Sequence, residues 1–242
     1  MIEDIGKIHS KEEHMTIAQQ AELVKLAGPK LAGTTGELRD QALLAVAKAL
    51  TDNKDAIFEA NRQDMEQAEA DGIAAPVLKR LRFDEGKLCD VINGIHDLVQ
   101  MPDPLFQTKL ARELEEGLTL YRETCPIGVI GVIFEARPDA LVQISALCIK
   151  SGNCVILKGG SEAAKSNKIL FDTIYAAVRK AGLPEHCMLQ LEARSEINEL
   201  LTCQESVDLL IPRGSNAFVQ YIMSHTNIPV MGHADGICHI YV

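Results

Sequence analysis

Two short segments place a basic residue, glycine and serine directly after an apolar run, a combination suited to holding an anion. Lys158-Gly159-Gly160-Ser161-Glu162 follows Cys154-Val155-Ile156-Leu157, and Arg213-Gly214-Ser215-Asn216 follows Leu209-Leu210-Ile211-Pro212. In the first, backbone amides have no side chain over them, Lys158 adds a full charge, and the next helix offers its partly positive N-terminus to a phosphate or a ribose hydroxyl. In the second, Gly214 precedes Ser215, a residue type that caps helices. Either turn alone is equally consistent with a glycine turn beside a solvated basic side chain. Two of them in neighbouring units point to an anionic ligand such as a dinucleotide. The chain has no Gly-x-Gly-x-x-Gly fingerprint, which disfavours an ordinary Rossmann dehydrogenase.

Arg137, in Glu135-Ala136-Arg137-Pro138-Asp139, has the planar fork that grips a carboxylate or phosphate bidentately. It is equally suited to an internal ion pair that orders the turn, and the sequence leaves both open. Cys238-His239 sets a thiol beside an imidazole, as nucleophile and base would be. Ile237-Cys238-His239-Ile240-Tyr241-Val242 alternates like a strand, however, so the two side chains are expected on opposite faces with Cys238 packed inside. His225, His233 and His239 do not have the spacing of a zinc site, and no metal is expected. The seven cysteines (89, 125, 148, 154, 187, 203 and 238) are odd in number and scattered. They read as reduced thiols, several in strands or buried helices.

The elements that must position these residues change character near residue 101. Before it the chain is helical. Ala42, Leu43, Val46, Ala47 and Leu50 recur at helical spacing, Thr51-Asp52-Asn53 stops that helix or caps the next, and Ala75-Pro76 starts a short helix. Leu88, Val91, Ile92, Ile95 and Leu98 form another amphipathic stripe, ended by Met101-Pro102-Asp103-Pro104. Beyond it, residues 118–124 alternate as an edge or hairpin strand. Apolar strands are then predicted at 127–134, 154–158, 188–191, 207–212 and 228–231. Helices are predicted from Pro138, over about 162–180 and 195–202, and from about 216. This rhythm predicts βαβ units, hence an α/β fold with a doubly wound parallel sheet and ligands at the carboxyl ends of its strands.

Composition narrows the partners. The chain has 242 residues, is 47% hydrophobic and 24% charged, and carries a formal charge of −10. Such acidity disfavours nucleic acid and anionic membrane surfaces. None of the apolar runs approaches the ~20 residues of a membrane span, and the start, Met1-Ile2-Glu3-Asp4, does not resemble a signal peptide. A cytoplasmic protein is the expectation.

Several segments resemble one family. They are residues 125–139 (Cys-Pro-Ile-Gly-Val-Ile-Gly-Val-Ile-Phe-Glu-Ala-Arg-Pro-Asp), Lys150-Ser151-Gly152-Asn153, Leu157 through Ala163, Leu210 through Ser215, Ile228-Pro229-Val230, residues 237–242, and Ala74 through Leu81. These are similar to the gamma-glutamyl phosphate reductase (glutamate-5-semialdehyde dehydrogenase) family of the aldehyde dehydrogenase superfamily. The resemblance implies an aldehyde-dehydrogenase-like fold and NADPH-dependent reduction of L-glutamyl 5-phosphate to the 5-semialdehyde, with release of phosphate, in proline biosynthesis. It implies glutamate 5-kinase as functional partner and a homo-oligomer. It also implies that Lys158 contacts the adenosine ribose, with Gly159, Gly160, Ser161 and Glu162 in the same turn, and that Gly214 and Ser215 lie against the pyrophosphate. Arg137 falls where related enzymes polarise the reacting carbonyl, so it is a candidate substrate residue. No Glu base stands in Gly232-His233-Ala234-Asp235-Gly236, which suits a reductase that needs no water at its thioester.

By the same resemblance, residues 1–108 are the N-terminal helical part of the cofactor domain, 109–124 an oligomerisation hairpin, and 125–231 the NADPH-binding sheet and helices. Residues 232–242 would begin a catalytic domain that is largely missing. The nucleophilic cysteine is expected beyond Val242, so none of this chain's residues is assigned as catalytic. The sheet is expected to leave an apolar patch where that domain would pack. Two other readings stay open: an inactive fragment or isoform acting only through subunit association, and a thiol enzyme using Cys238 and His239.

Overall fold

The computed structural model describes residues 15–193, 195–232 and 240–241. Five helices come first: α1 (Ile17–Ala32), α2 (Gly36–Asp52), α3 (Lys54–Ala70), α4 (Ala75–Leu81) and α5 (Glu85–Gln100). Their starts follow local chemistry. Thr16 and Gln19 form a reciprocal capping box on α1, Thr35 caps α2, and Asp84 caps α5. Asn53 closes α2, its side-chain amide donating to Ala49 O at 2.8 Å, and makes no side-chain cap on α3.

An antiparallel hairpin follows, β1 (Thr108–Glu115) and β2 (Leu118–Glu123). The parallel sheet comes next, made of β3 (Val129–Ile133), β4 (Cys154–Lys158), β5 (Met188–Leu191) and β6 (Leu209–Pro212) in the order β5-β4-β3-β6. Between and after them lie α6 (Pro138–Lys150), α7 (Ala164–Lys180), α8 (Glu196–Leu200) and α9 (Asn216–Ser224). The chain steps outward from β3 to β4 to β5 and then returns across β3 to β6. Right-handed crossovers therefore put α6 and α7 on one face and α8 on the other, and α1 packs against α8 and β4. This is the doubly wound α/β arrangement that the element rhythm predicts.

Val129 to Ile133 and Cys154 to Lys158 are all buried, as strands covered on both faces must be. Gly128 fixes where β3 begins. Its φ is +126°, and a Cβ there would lie 2.1 Å from Asp208 Oδ2, the atom that accepts from Val129 N at 2.8 Å.

Several boundaries differ from the sequence expectation, β3 and β6 each being shorter than the predicted runs. The hairpin has a strand, β1, before the predicted 118–124 segment. A single 3₁₀ turn, Ser161–Ala163, precedes α7, and α8 is confined to Glu196–Leu200. The fifth parallel strand, expected at 228–231, is reduced to one bridge, Leu210 with Val230. Leu210 N donates to Pro229 O and Met231 N to Leu210 O, but Pro229 has no N–H with which to extend the ladder.

Candidate functional site

The sheet register brings the two basic-glycine-serine turns to one level. Ile133, at the end of β3, pairs with Lys158 on one side and Pro212 on the other. Phe134 N then donates to Lys158 O at 3.0 Å, and Arg213 N to Ile133 O at 2.7 Å. All three strand ends therefore open side by side. The strand order reverses between β3 and β6, so this is the topological switch point, where open α/β sheets leave a crevice for ligands.

A cavity of about 460 Å³ occupies that crevice, and Lys158, Gly159, Gly160, Ser161, Glu162 and Ser215 all line it. Lys158 and Ser215, 57 positions apart in sequence, are thus gathered around one space. The first turn needs its glycines: a Cβ on Gly159 would lie 2.2 Å from Asn167 Nδ2, an atom of a buried side chain. Lys158 is buried and donates to Gly159 O. At the second turn, Ser215 Oγ accepts from Phe218 N at 3.3 Å and caps α9.

The expectation that α7 offers its positive terminus to a phosphate is corrected by the structure. Lys165 N and Ser166 N donate to Asp64 Oδ1 (3.2 Å) and Oδ2 (2.7 Å), and Ser166 Oγ also donates to Oδ2 at 2.7 Å. A buried carboxylate from α3 already sits on that helix end. Asn61 completes the network, donating to Ser166 Oγ and to Leu81 O and accepting from Phe83 N. The Lys158 turn consequently presents a cation and small groups without a free helix terminus, a better match to sugar hydroxyls than to phosphate.

Arg137 begins α6 on the same rim. Its Nη2 donates to Asp139 Oδ2 at 2.7 Å, and this carboxylate raises the guanidinium pKa further. The internal ion pair is therefore formed, while the Arg137 side chain stays about half exposed, at 52%. Arg137 and Gly214 line a second cavity of about 950 Å³ that runs along the α6 face of the sheet beside Ile130, Val132, Ile144 and Leu147. Of its apolar lining, Ile130 and Val132 are buried, whereas Ile127 and Leu147 are exposed. Arg80 of α4, Phe134, Glu135 and Arg213 line both cavities and so form the neck between them. Asp64 stands in none of the motifs and Arg80 only within the Ala74–Leu81 segment, with no role read there; both reach the site through tertiary packing.

The described thiols are mostly inert positions. Burial pushes Cys148, Cys154 and Cys187 up to about 12 and also raises Cys203, while Cys89 and Cys125 are exposed. His225 stacks on Tyr221, with ring centroids 4.1 Å apart. Cys238, His233 and His239 lie outside the described residues, as does the strand expected at 237–242. Among the described residues no helix is long and apolar enough to cross a membrane.

The aldehyde dehydrogenase family model matches residues 3–231. The chain belongs to the aldehyde dehydrogenase family. Within it, the chain is 53% identical over 228 residues to the gamma-glutamyl phosphate reductase of Acetivibrio thermocellus, covering 94% of this chain and 53% of that protein. The enzyme of the same name from Pelotomaculum thermopropionicum is also 53% identical, over 94% of this chain and 52% of its own. Among solved structures, the gamma-glutamyl phosphate reductase of Saccharomyces cerevisiae superposes with a TM-score of 0.85 at 41% identity, covering 93% of this chain and 58% of that one. The Thermotoga maritima enzyme gives the same TM-score at 30% identity, over 89% and 53%. This aldehyde dehydrogenase family chain thus spans about half the length of the curated relatives it matches.

Proposed function

We propose that this chain forms the dinucleotide-binding half of a gamma-glutamyl phosphate reductase that uses NADPH. The observation that carries the reading is the common level of the Lys158 and Gly214-Ser215 turns around the switch-point crevice. The residues present fit such a cofactor. Lys158, Gly159, Gly160, Ser161 and Glu162 would receive the adenosine ribose, because Asp64 leaves that turn no open helix end for a phosphate. Gly214 and Ser215 would lie against the pyrophosphate at the N-terminus of α9. When bound, the nicotinamide supplies a hydride.

The reaction belongs to the whole family protein: L-glutamyl 5-phosphate is reduced to the 5-semialdehyde and phosphate in proline biosynthesis. A cysteine thiolate displaces phosphate, giving the thioester that is then reduced. Four of the described thiols are buried with raised pKa values, which makes them poor nucleophiles. Arg137 keeps guanidinium N–H groups beyond the one paired with Asp139 and would stabilise charge on the departing phosphate. The apolar trough would seat the remainder of the family fold, and the β1–β2 hairpin would join subunits. Glutamate 5-kinase would supply the acyl phosphate in the cytoplasm.

The reading is tested by generating L-glutamyl 5-phosphate in situ with a kinase, ATP and glutamate, then following NADPH oxidation. The expected outcome is no phosphate-releasing turnover by this chain alone. Sustained semialdehyde production by the 242-residue chain would place a working nucleophile within it and contradict the assignment.

A further inference from the structure

We propose that Arg80 is an anion-binding residue of the crevice, supplying a guanidinium to a phosphate group held at the neck between the two cavities. The proposal takes from the functional reading only the identity of the phosphate carrier. Arg80 is one of four residues that line both cavities, and it is the one that comes from the helical layer rather than from a strand end.

Its placement is built. Leu81 is fully buried in a separate apolar cluster with Ala68, Ala136 and Ala163, which fastens α4 to the turns after β3 and β4. The carbonyls of residues 80 and 81 are both held, Arg80 O by Lys87 Nζ at 2.8 Å and Leu81 O by Asn61 Nδ2 at 2.9 Å. The backbone is thus fixed while the Arg80 side chain remains exposed.

Charge at the neck is the second observation. Among the described residues no carboxylate forms an ion pair with Arg80 or Arg213, whereas Arg137 is paired with Asp139. The neck carries these two guanidiniums against the single carboxylate of Glu135. In a chain with a formal charge of −10, two arginines without ion-pair partners among the described residues thus face one opening. Such forks match the oxygens of a phosphate. The phosphate could come from the dinucleotide's pyrophosphate or from the acyl phosphate, and the two are separable.

The test measures binding of inorganic phosphate and of NADPH, separately, to the wild-type chain, Arg80→Ala, Arg80→Lys and the exposed control Arg82→Ala. All should share one thermal unfolding midpoint. Arg80→Ala is expected to weaken at least one ligand about tenfold, the scale of a lost charge-assisted hydrogen bond, with Arg80→Lys intermediate and Arg82→Ala like wild type. Loss confined to inorganic phosphate assigns Arg80 to the acyl phosphate, and loss confined to NADPH assigns it to the pyrophosphate. Phosphate binding that depends on Arg80, in a chain that does not bind NADPH, would uphold the residue while contradicting the dinucleotide reading. Equal binding of both ligands by Arg80→Ala and wild type would overturn the proposal, as would wild type binding neither.

Discussion

At the residue scale, the crevice depends on groups that act from behind it. Asp64 satisfies two backbone amides and a serine hydroxyl at the start of α7 while itself buried. It is the N-cap that Ala163 cannot supply, since that residue has no side-chain acceptor. Removing it strands three donors in a dry site. Asp64→Ala is therefore expected to cost about 2–4 kcal/mol in urea denaturation, and Asp64→Asn less than half of that. A loss under about 0.5 kcal/mol for Asp64→Ala would show that water replaces the carboxylate. The ligand-turn residues were legible in sequence because basic residue, glycine and serine are adjacent. Asp64 was not, because it meets Lys165 and Ser166 across 101 and 102 residues of chain. The start of α7 is unreadable as an anion site for the same reason: a distant carboxylate cannot be seen from the turn it caps.

At the element scale, alternation and apolar runs located the parallel strands, since burial on both faces leaves a clear signature in residues 129–133 and 154–158. The first hairpin strand was legible only through the resemblance, which gives a hairpin over 109–124, and not in the pattern of its own residues. Thr108–Glu115 has every side chain exposed, and nothing in its own sequence demands a covered face. The hairpin presents Leu110, Leu118 and Leu120 on one side together with Arg112 and Arg122, and Tyr121 on the other. A two-stranded ribbon of this kind is marginal by itself, and its exposed leucines suit contact with another copy. Replacing Thr108–Glu123 by a short Gly/Ser link is expected to abolish the proposed self-association in sedimentation while changing unfolding free energy by less than about 1 kcal/mol. A large loss of stability with unchanged association would mean that the ribbon serves the domain rather than the assembly.

At the scale of the whole molecule, the sheet gathers two distant turns into one crevice, leaves an apolar trough beside it, and matches about half of each relative. Strand order was not readable from the sequence. The βα rhythm fixes handedness, but the return of the chain across β3 to β6 is decided by packing, and it is this return that creates the switch point. The proposed occupant of the crevice is a dinucleotide. Fluorescence titration of NADPH into the 242-residue chain and its Lys158→Ala variant tests this proposal directly. The expected result is saturable one-to-one binding by the wild-type chain, weakened about tenfold in the variant as a charged contact is lost. Absence of saturable binding by the wild-type chain, or equal affinity in a folded Lys158→Ala variant, would contradict it.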